Sequence, residues 1–251
     1  MTRANEPDIA RLYHLNSSNS RHKVPDLEVD EDARPHPFRR FVGAPRVHLP
    51  DADLDLSMSL GTVLERRSSV RDFGRRPLPL AMLARLLRIS YGVIGRRFVD
   101  DHWVARRPAP SAGGLYPVEI HLASRDVDGI EDGLYHYDAK AHELELRKRG
   151  SFNAQLADMT IGQAMVKDAN VVLLLTAVFQ RTMWKYGQRG YRYVWLDAGH
   201  VGQNVYLVAE ALGLGAVAIG GFFDAEVNRL LDLPPDEESI YLFCIGWPQQ
   251  P

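Results

Sequence analysis

The sequence predicts an α+β fold, a three-layer sandwich built around one long buried helix. The first sign is the stretch after Gly190. Val194, Trp195, Ala198, Val201, Val205, Val208, Ala209 and Leu212 recur at helical spacing, and Gly213 ends the run as a C-terminal cap would. The second is Val171 to Phe179, a continuous apolar, β-branched run of the kind that forms a strand covered on both faces. The third is a pair of further strand patterns, Val217 to Phe223 and Ser239 to Trp247, separated by a short helix that Asp224 would cap and that runs to Leu231.

In chain order, residues 1–55 form a block of their own. Pro7, Pro25, Pro35, Pro37, Pro45 and Pro50 fall here among charged residues without periodicity. Proline removes backbone donors and disfavours helix in the residue before it, so the expectation is an extended N-terminal arm, disordered or packed on a partner. The folded domain is expected over residues 56–251. Leu54 to Arg67 reads as a helix, with Leu56, Leu60, Val63 and Leu64 on one side. Pro77 and Pro79 introduce a second, with Leu80, Leu83, Leu86, Leu87 and Ile89 as its buried stripe. A Pro- and Gly-rich loop follows from Arg106 to Pro117. Val118 to Ser124 alternates as a strand, in which His121 is a pleat position. Gly133 to Tyr137 and His142 to Leu146 pair as a hairpin, and residues 152–166 read as a helix.

Composition narrows the function. The chain has 251 residues, 45% hydrophobic and 25% charged, with a formal charge of -2 and no long basic run, which argues against a nucleic-acid binder. Cys244 is the single cysteine and the nine histidines are scattered, so neither a disulfide nor a metal site is expected. No stretch suits a secretion signal or a membrane span, and a cytoplasmic location is the expectation. A dinucleotide-binding Gly-x-Gly-x-x-Gly after a strand and a Gly-x-Ser-x-Gly elbow are both absent.

Four places carry possible chemistry. Arg66-Arg67-Ser68-Ser69-Val70-Arg71 could cradle an anion, because guanidinium forks pair with phosphate oxygens; a solvated basic helix end has the same letters. Small residues in Pro110-Ser111-Ala112-Gly113-Gly114 let backbone approach a flat ligand, or simply form a loop. Lys185 and Tyr186 sit in an aromatic-rich segment. Apolar surroundings disfavour a lysine's charged form and suit it to act as a base, whereas a surface lysine would lay its stem on Trp184. On the long helix, Gln203 and Asn204 are expected to satisfy backbone groups, and His200 to be a hydrogen-bonded interior residue.

Taken together, Arg66 to Phe73, Pro110 to Pro117, Ala198 to Asn204 and Ala218-Ile219-Gly220-Gly221-Phe222 resemble the FMN-dependent nitroreductase superfamily. Pro110-Ser-Ala-Gly-Gly-Leu-Tyr-Pro-Val-Glu119 and Lys185-Tyr186-Gly-Gln-Arg-Gly-Tyr-Arg192 resemble its SagB-type dehydrogenases, the thiazoline or azoline oxidases. The resemblance spans residues 55–248. It implies a nitroreductase-like sandwich with a mostly antiparallel central sheet, in an intertwined homodimer with FMN at the subunit interface. Arg67, Ser68, Ser69 and Arg71 would hold one FMN; Pro110, Ser111, Ala112 and Gly113 would line it across the dimer. Gly220 and Gly221 would set a backbone amide near flavin N5, and Lys185 and Tyr186 would be the catalytic pair. Many nitroreductases hold the phosphate with basic residues near the C-terminus. This chain has no Lys or Arg after Arg229, which leaves that charge to Arg67, with Arg66 or the Arg106-Arg107 pair.

The function so implied is oxidation of azoline rings to azoles in a modified peptide, with electrons passed to oxygen and a cyclodehydratase as a possible partner. The alternatives are a NAD(P)H-dependent nitro or quinone reductase, and a flavin-binding subunit without chemistry of its own.

Overall fold

A computed structural model of the chain describes residues 8–21, 29–51, 53–99 and 102–249. Its elements run α1 (Ile9–Asn16), β1 (Arg46–His48), α2 (Leu60–Arg66), β2 (Leu78–Pro79), α3 (Leu80–Tyr91), β3 (Gly95–Val99) and β4 (His102–Arg106). After the Pro-Gly loop come β5 (Val118–Ser124), β6 (Val127–Asp128), β7 (Gly133–Asp138), β8 (Glu143–Arg149) and α4 (Asn153–Met159). The last third holds β9 (Val171–Ala177), α5 (Gln180–Tyr186), α6 (Gln188–Ala211), β10 (Gly215–Ile219), α7 (Asp224–Leu231) and β11 (Glu238–Gly246).

Seven strands make the central sheet in the order β1-β8-β7-β5-β9-β11-β10, and every neighbouring pair is antiparallel. Side chains alternate between the two faces, so each strand feeds two cores. Ile120, Leu122, Leu173, Leu175, Phe243 and Ile245 pack with α3 and α6. Ala123, Val172, Leu174, Leu242 and Cys244 pack with α4 and α7. The result is the expected three-layer α+β sandwich, and β9 is buried along its whole length because both helix layers cover it. Gly202 lets α6 press onto the sheet: a Cβ there would lie 2.6 Å from Cζ of Phe243.

Four expectations change. The helix expected from Leu54 starts at Leu60, where the Ser59 hydroxyl accepts the Thr62 N–H at 3.2 Å as an N-cap. The helix expected over 152–166 stops at Met159. Thr160 bridges to Phe222, and Ile161 donates its N–H to the Gly221 carbonyl, so the chain leaves the helix to pair with the segment after β10. An unforeseen hairpin, β3–β4, rises between α3 and the Pro-Gly loop. Helix α6 is not covered all round: Trp195, Leu196, Gly199, His200 and Gln203 form an exposed face on the single chain.

The N-terminal block is also more than an arm. β1 is an edge strand of the main sheet, and Arg46 bonds Glu143 and Glu145 of β8 at 2.9 Å each. Residues 36–41 lie over a polar patch of the sheet in place of a helix. There Glu119 and His121 of β5, His136 of β7 and Glu145 of β8 are all buried. Arg39 donates its backbone N–H to Glu119 at 2.9 Å and its Nε to Glu237 at 3.0 Å, while Phe41 N–H bonds Glu145 at 3.1 Å. His136 bridges Glu145 at 3.0 Å and Glu119 at 3.3 Å. Burial alone would lower its pKa, but the two carboxylates raise it to about 9. Burial would raise the Glu119 carboxyl, yet Arg181 and His136 hold it well below the usual carboxylate range.

Candidate functional site

Helix α5 ends at Gly187, whose φ of 53° and ψ of -142° turn the chain into α6. Lys185 and Tyr186 sit on its last turn. Lys185 is exposed on the single chain, with Nζ 6.0 Å from the centre of the Tyr186 ring, so the apolar surroundings expected for it are not supplied by its own protomer. Tyr186 is half-buried, and its ring meets Tyr193 edge-on at 5.1 Å. Burial, with Tyr193 and Asp197 nearby, pushes its phenol pKa up, which keeps the hydroxyl protonated.

The Tyr186 hydroxyl lies against the Pro-Gly loop. A Cβ on Gly113 would come within 2.7 Å of Tyr186 Oη, and Gly113 has φ of 61°. Only glycine meets both demands without strain. The loop is fastened from the other side by Asp197 of α6, which accepts the Ser111 hydroxyl and, at 3.3 Å, the Ala112 N–H. Ser111 Oγ in turn accepts the Tyr116 N–H at 2.9 Å. Tyr116 is itself left-handed, with φ of 48°, a conformation that costs a non-glycine residue about 1–2 kcal/mol. Arg181 at the start of α5 donates to the Tyr116 carbonyl at 3.4 Å and pairs with Glu119 at 2.6 Å.

A second group gathers at the other end of α6. The chain after α2 runs beside β10: Ser69 bridges Ala216, and Val70 N–H bonds the Ala216 carbonyl at 3.0 Å. Tyr206 of α6 joins them. Its hydroxyl accepts the Ala218 N–H at 2.8 Å and meets Ser69 Oγ at 3.2 Å, and the Arg67 guanidinium stands 5.4 Å from its ring centre. Ser68 and Arg71 are exposed, and Arg71 reaches back to the Ser69 carbonyl at 3.3 Å. Gly220 follows β10 with open space where a Cβ would stand, and Gly221 meets Ile161.

Of the cations considered for a phosphate, Arg66 pairs with Glu210 at 3.3 Å. Arg107 is buried, its guanidinium 4.3 Å from the Tyr91 ring centre and 5.0 Å from that of Tyr116. That leaves Arg67, half-buried over Tyr206, and the exposed Arg71 at this end. No hydrogen bond or ion pair among the described residues joins this group to the Lys185–Gly113 group. They attach to α6 at Asp197 and Tyr206, about 14 Å apart along a helix rising 1.5 Å per residue.

His200 is exposed, contrary to the interior role expected of it, because it falls on the uncovered face of α6. Gln203 shares that face, while Asn204 donates to the Ser90 carbonyl at 3.1 Å. Asp197, Tyr116 and Arg181 were missed. Asp197 had a legible signal: it stands with Val194, Ala198 and Val201 on the inward stripe of α6, where a carboxylate needs partners. Among the described residues no group of three or more His, Cys, Asp or Glu is placed to hold a metal ion, and no helix is long and apolar enough to cross a membrane.

Comparison with known proteins gives a consistent set of likenesses. The nitroreductase family model matches residues 64–247. A Methanocaldococcus jannaschii protein with a provisional nitroreductase name is 38% identical over 200 residues, 80% of this chain and 95% of that protein. The trifolitoxin-processing protein TfxB of Rhizobium leguminosarum bv. trifolii is 27% identical over 85% of this chain, which spans 60% of TfxB's length. The microcin B17-processing protein McbC of Escherichia coli is 28% identical over 69% of this chain and 67% of its own. Among solved structures, a nitroreductase-type protein of Anabaena variabilis superposes with a TM-score of 0.77 at 29% identity, covering 98% of this chain and half of that one. A chain of the E. coli microcin synthetase McbBCD complex with truncated pro-MccB17 bound has a TM-score of 0.64 at 21% identity, over 96% of this chain and 92% of that one, a likeness of fold alone.

Proposed function

Since the chain belongs to the nitroreductase family, we propose that it is a SagB-type, FMN-dependent dehydrogenase that oxidises azoline rings to azoles in a modified peptide. The observation that carries this reading is the meeting of Tyr186 with Gly113. The two segments that resemble the azoline oxidases lie far apart in sequence, and they are in contact within one protomer. The microcin- and trifolitoxin-processing relatives support a peptide as the substrate; a cyclodehydratase would be the partner that supplies the ring.

The residues present fit FMN. Ser68 and Arg71 are exposed, Arg67 lies over Tyr206 and Ser69 meets its hydroxyl, so charged and hydroxylic donors suited to a phosphate share one short segment. Ser111 to Gly113 offer the backbone of a tight turn of small residues. An FMN would be held by Arg67, Ser68, Ser69 and Arg71, with Gly220 and Gly221, of one protomer and by the 110–113 loop of its partner. The exposed Trp195, Leu196 and His200 face of α6 is the surface along which the two protomers meet. In the reaction, Lys185 Nζ takes the proton from the ring carbon. Tyr186 Oη, held protonated by its burial, hydrogen-bonds the ring heteroatom side and orients it. When bound, the flavin would supply the two-electron acceptor for the hydride from the neighbouring carbon, with dioxygen as the final acceptor.

The test is the visible spectrum of the purified protein, followed by single turnover with an azoline-bearing peptide. Lys185→Ala should keep the yellow cofactor and lose about 10²–10⁴-fold in rate. A protein that stays colourless in excess FMN would sink the reading. Rapid bleaching by NADPH, with no azole formed, would replace it with a nitro or quinone reductase. Leu196→Glu should shift the dimer to a monomer in sedimentation and release the flavin.

A further inference from the structure

The buried carboxylate of Asp197 is not among the residues that the reaction above uses, yet it makes the main attachment of the Pro-Gly loop. It is 5% exposed, on the inward stripe of α6. One oxygen accepts the Ser111 hydroxyl and the other the Ala112 N–H. Ser111 Oγ passes the connection on to the Tyr116 N–H. From the far side, Arg181 holds the Tyr116 carbonyl. The left-handed turn at Tyr116 is thus gripped at both of its backbone groups, and such a conformation persists only where its surroundings over-determine it. Between the two grips lies Gly113, the residue against which Tyr186 Oη rests.

We infer that Asp197 is a positioning residue: through Ser111 and the Ala112 amide it fixes the 111–116 loop on α6 and so sets the place of the Tyr186 hydroxyl. This rests on the reading of Tyr186 as part of the reacting pair. The chemistry of the side chain makes the claim specific. A carboxylate accepts at two oxygens; an asparagine of the same shape accepts at one and must donate at the other, so either the Ser111 hydroxyl or the Ala112 N–H loses its acceptor. Asp197→Asn therefore keeps the volume of the core and breaks one half of the clamp. Losing one such bond opens the loop roughly several-fold more often.

The experiment has a readout independent of turnover. Hydrogen exchange of a peptide spanning 110–118 is compared in wild type, Asp197→Asn, Ser111→Ala and the double variant. Val227→Ala, a cavity on α7 in the opposite layer, serves as the control for general destabilisation. The expected result is exchange several-fold faster in Asp197→Asn but not in Val227→Ala. With it comes a kcat lower by about 10–10²-fold at nearly constant KM, since sub-ångström misplacement of a reacting group acts on the transition state. The double variant should be no worse than the poorer single one, because both residues act through one contact. Unchanged loop exchange in Asp197→Asn, or losses that multiply in the double variant, would overturn the inference. A wild type that binds no flavin would remove the proposed reaction, while the exchange data would still report whether Asp197 holds the loop.

Discussion

The loop at 111–116 and the segment at 67–71 are proposed to serve one kind of site, and the protein holds them in opposite ways. In the loop, backbone and hydroxyl groups find protein partners: Ser111 and Ala112 on Asp197, Tyr116 on Ser111 and Arg181. In the segment, the backbone is pinned to β10 while Ser68 and Arg71 point into solvent and Arg67 rests over Tyr206. The difference follows from what each must do. A group facing a reacting atom needs its distance fixed before the substrate arrives, and buried hydrogen bonds fix it. A cation meant for phosphate is best left hydrated, because burying it without an anion costs more than a later contact returns.

That contrast can be attacked where the loop is tightest. Gly113→Ala puts a Cβ within 2.7 Å of Tyr186 Oη at a left-handed φ, so either the loop or the tyrosine must move. Turnover should fall by about 10²-fold with the flavin retained. In a Tyr186→Phe background the collision is gone, and the same change should cost only about 1–2 kcal/mol of backbone strain by urea denaturation. A wild-type rate in the single variant would mean that the loop is not a rigid plate. At the open end, Arg67→Ala should weaken FMN binding by roughly 10–10²-fold in a fluorescence titration and reduce its salt dependence. Unaltered affinity would move the phosphate away from this segment.

The smallest effect is expected behind the loop, in the cluster that Arg181 joins through Glu119. His136, raised to about 9 in the fold, contributes stability that is complete below its unfolded value near 6.5 and is lost as pH climbs through 9. His136→Gln should flatten that alkaline decline by about 1 kcal/mol, read from urea midpoints between pH 6.5 and 9. A decline as steep as wild type would assign it to other groups.

What the sequence shows of this molecule follows the range of the forces involved. α6, β9 and the β7–β8 hairpin are legible because apolar periodicity and turn residues act over a few neighbours. The sequence between β3 and β4, Asp100-Asp101, holds no Gly or Asn, so nothing local announces the pairing. The docking of residues 36–41 depends on Arg39 meeting Glu119 and Glu237, partners far along the chain with no shared pattern. Within the site, the motif residues were visible as letters. The carboxylate that holds them shows only as a polar interruption of an apolar stripe, which says that partners are needed but not which, because those partners lie in another segment. Lys185 shows the remaining limit: its aromatic-rich neighbours in sequence suggest an apolar setting, and the fold leaves its side chain exposed.

The seat of Arg39 has a practical consequence for anyone shortening this protein. The stretch that matches the family begins at residue 64, and cutting there would discard β1, Arg39 and Arg46 together. Glu119, Glu145 and Glu237 would then face water with the tops of their cages removed, and the sheet would gain a raw edge at β8. Such a fragment would be expected to clump, so a minimal catalytic unit must reach back at least to His36.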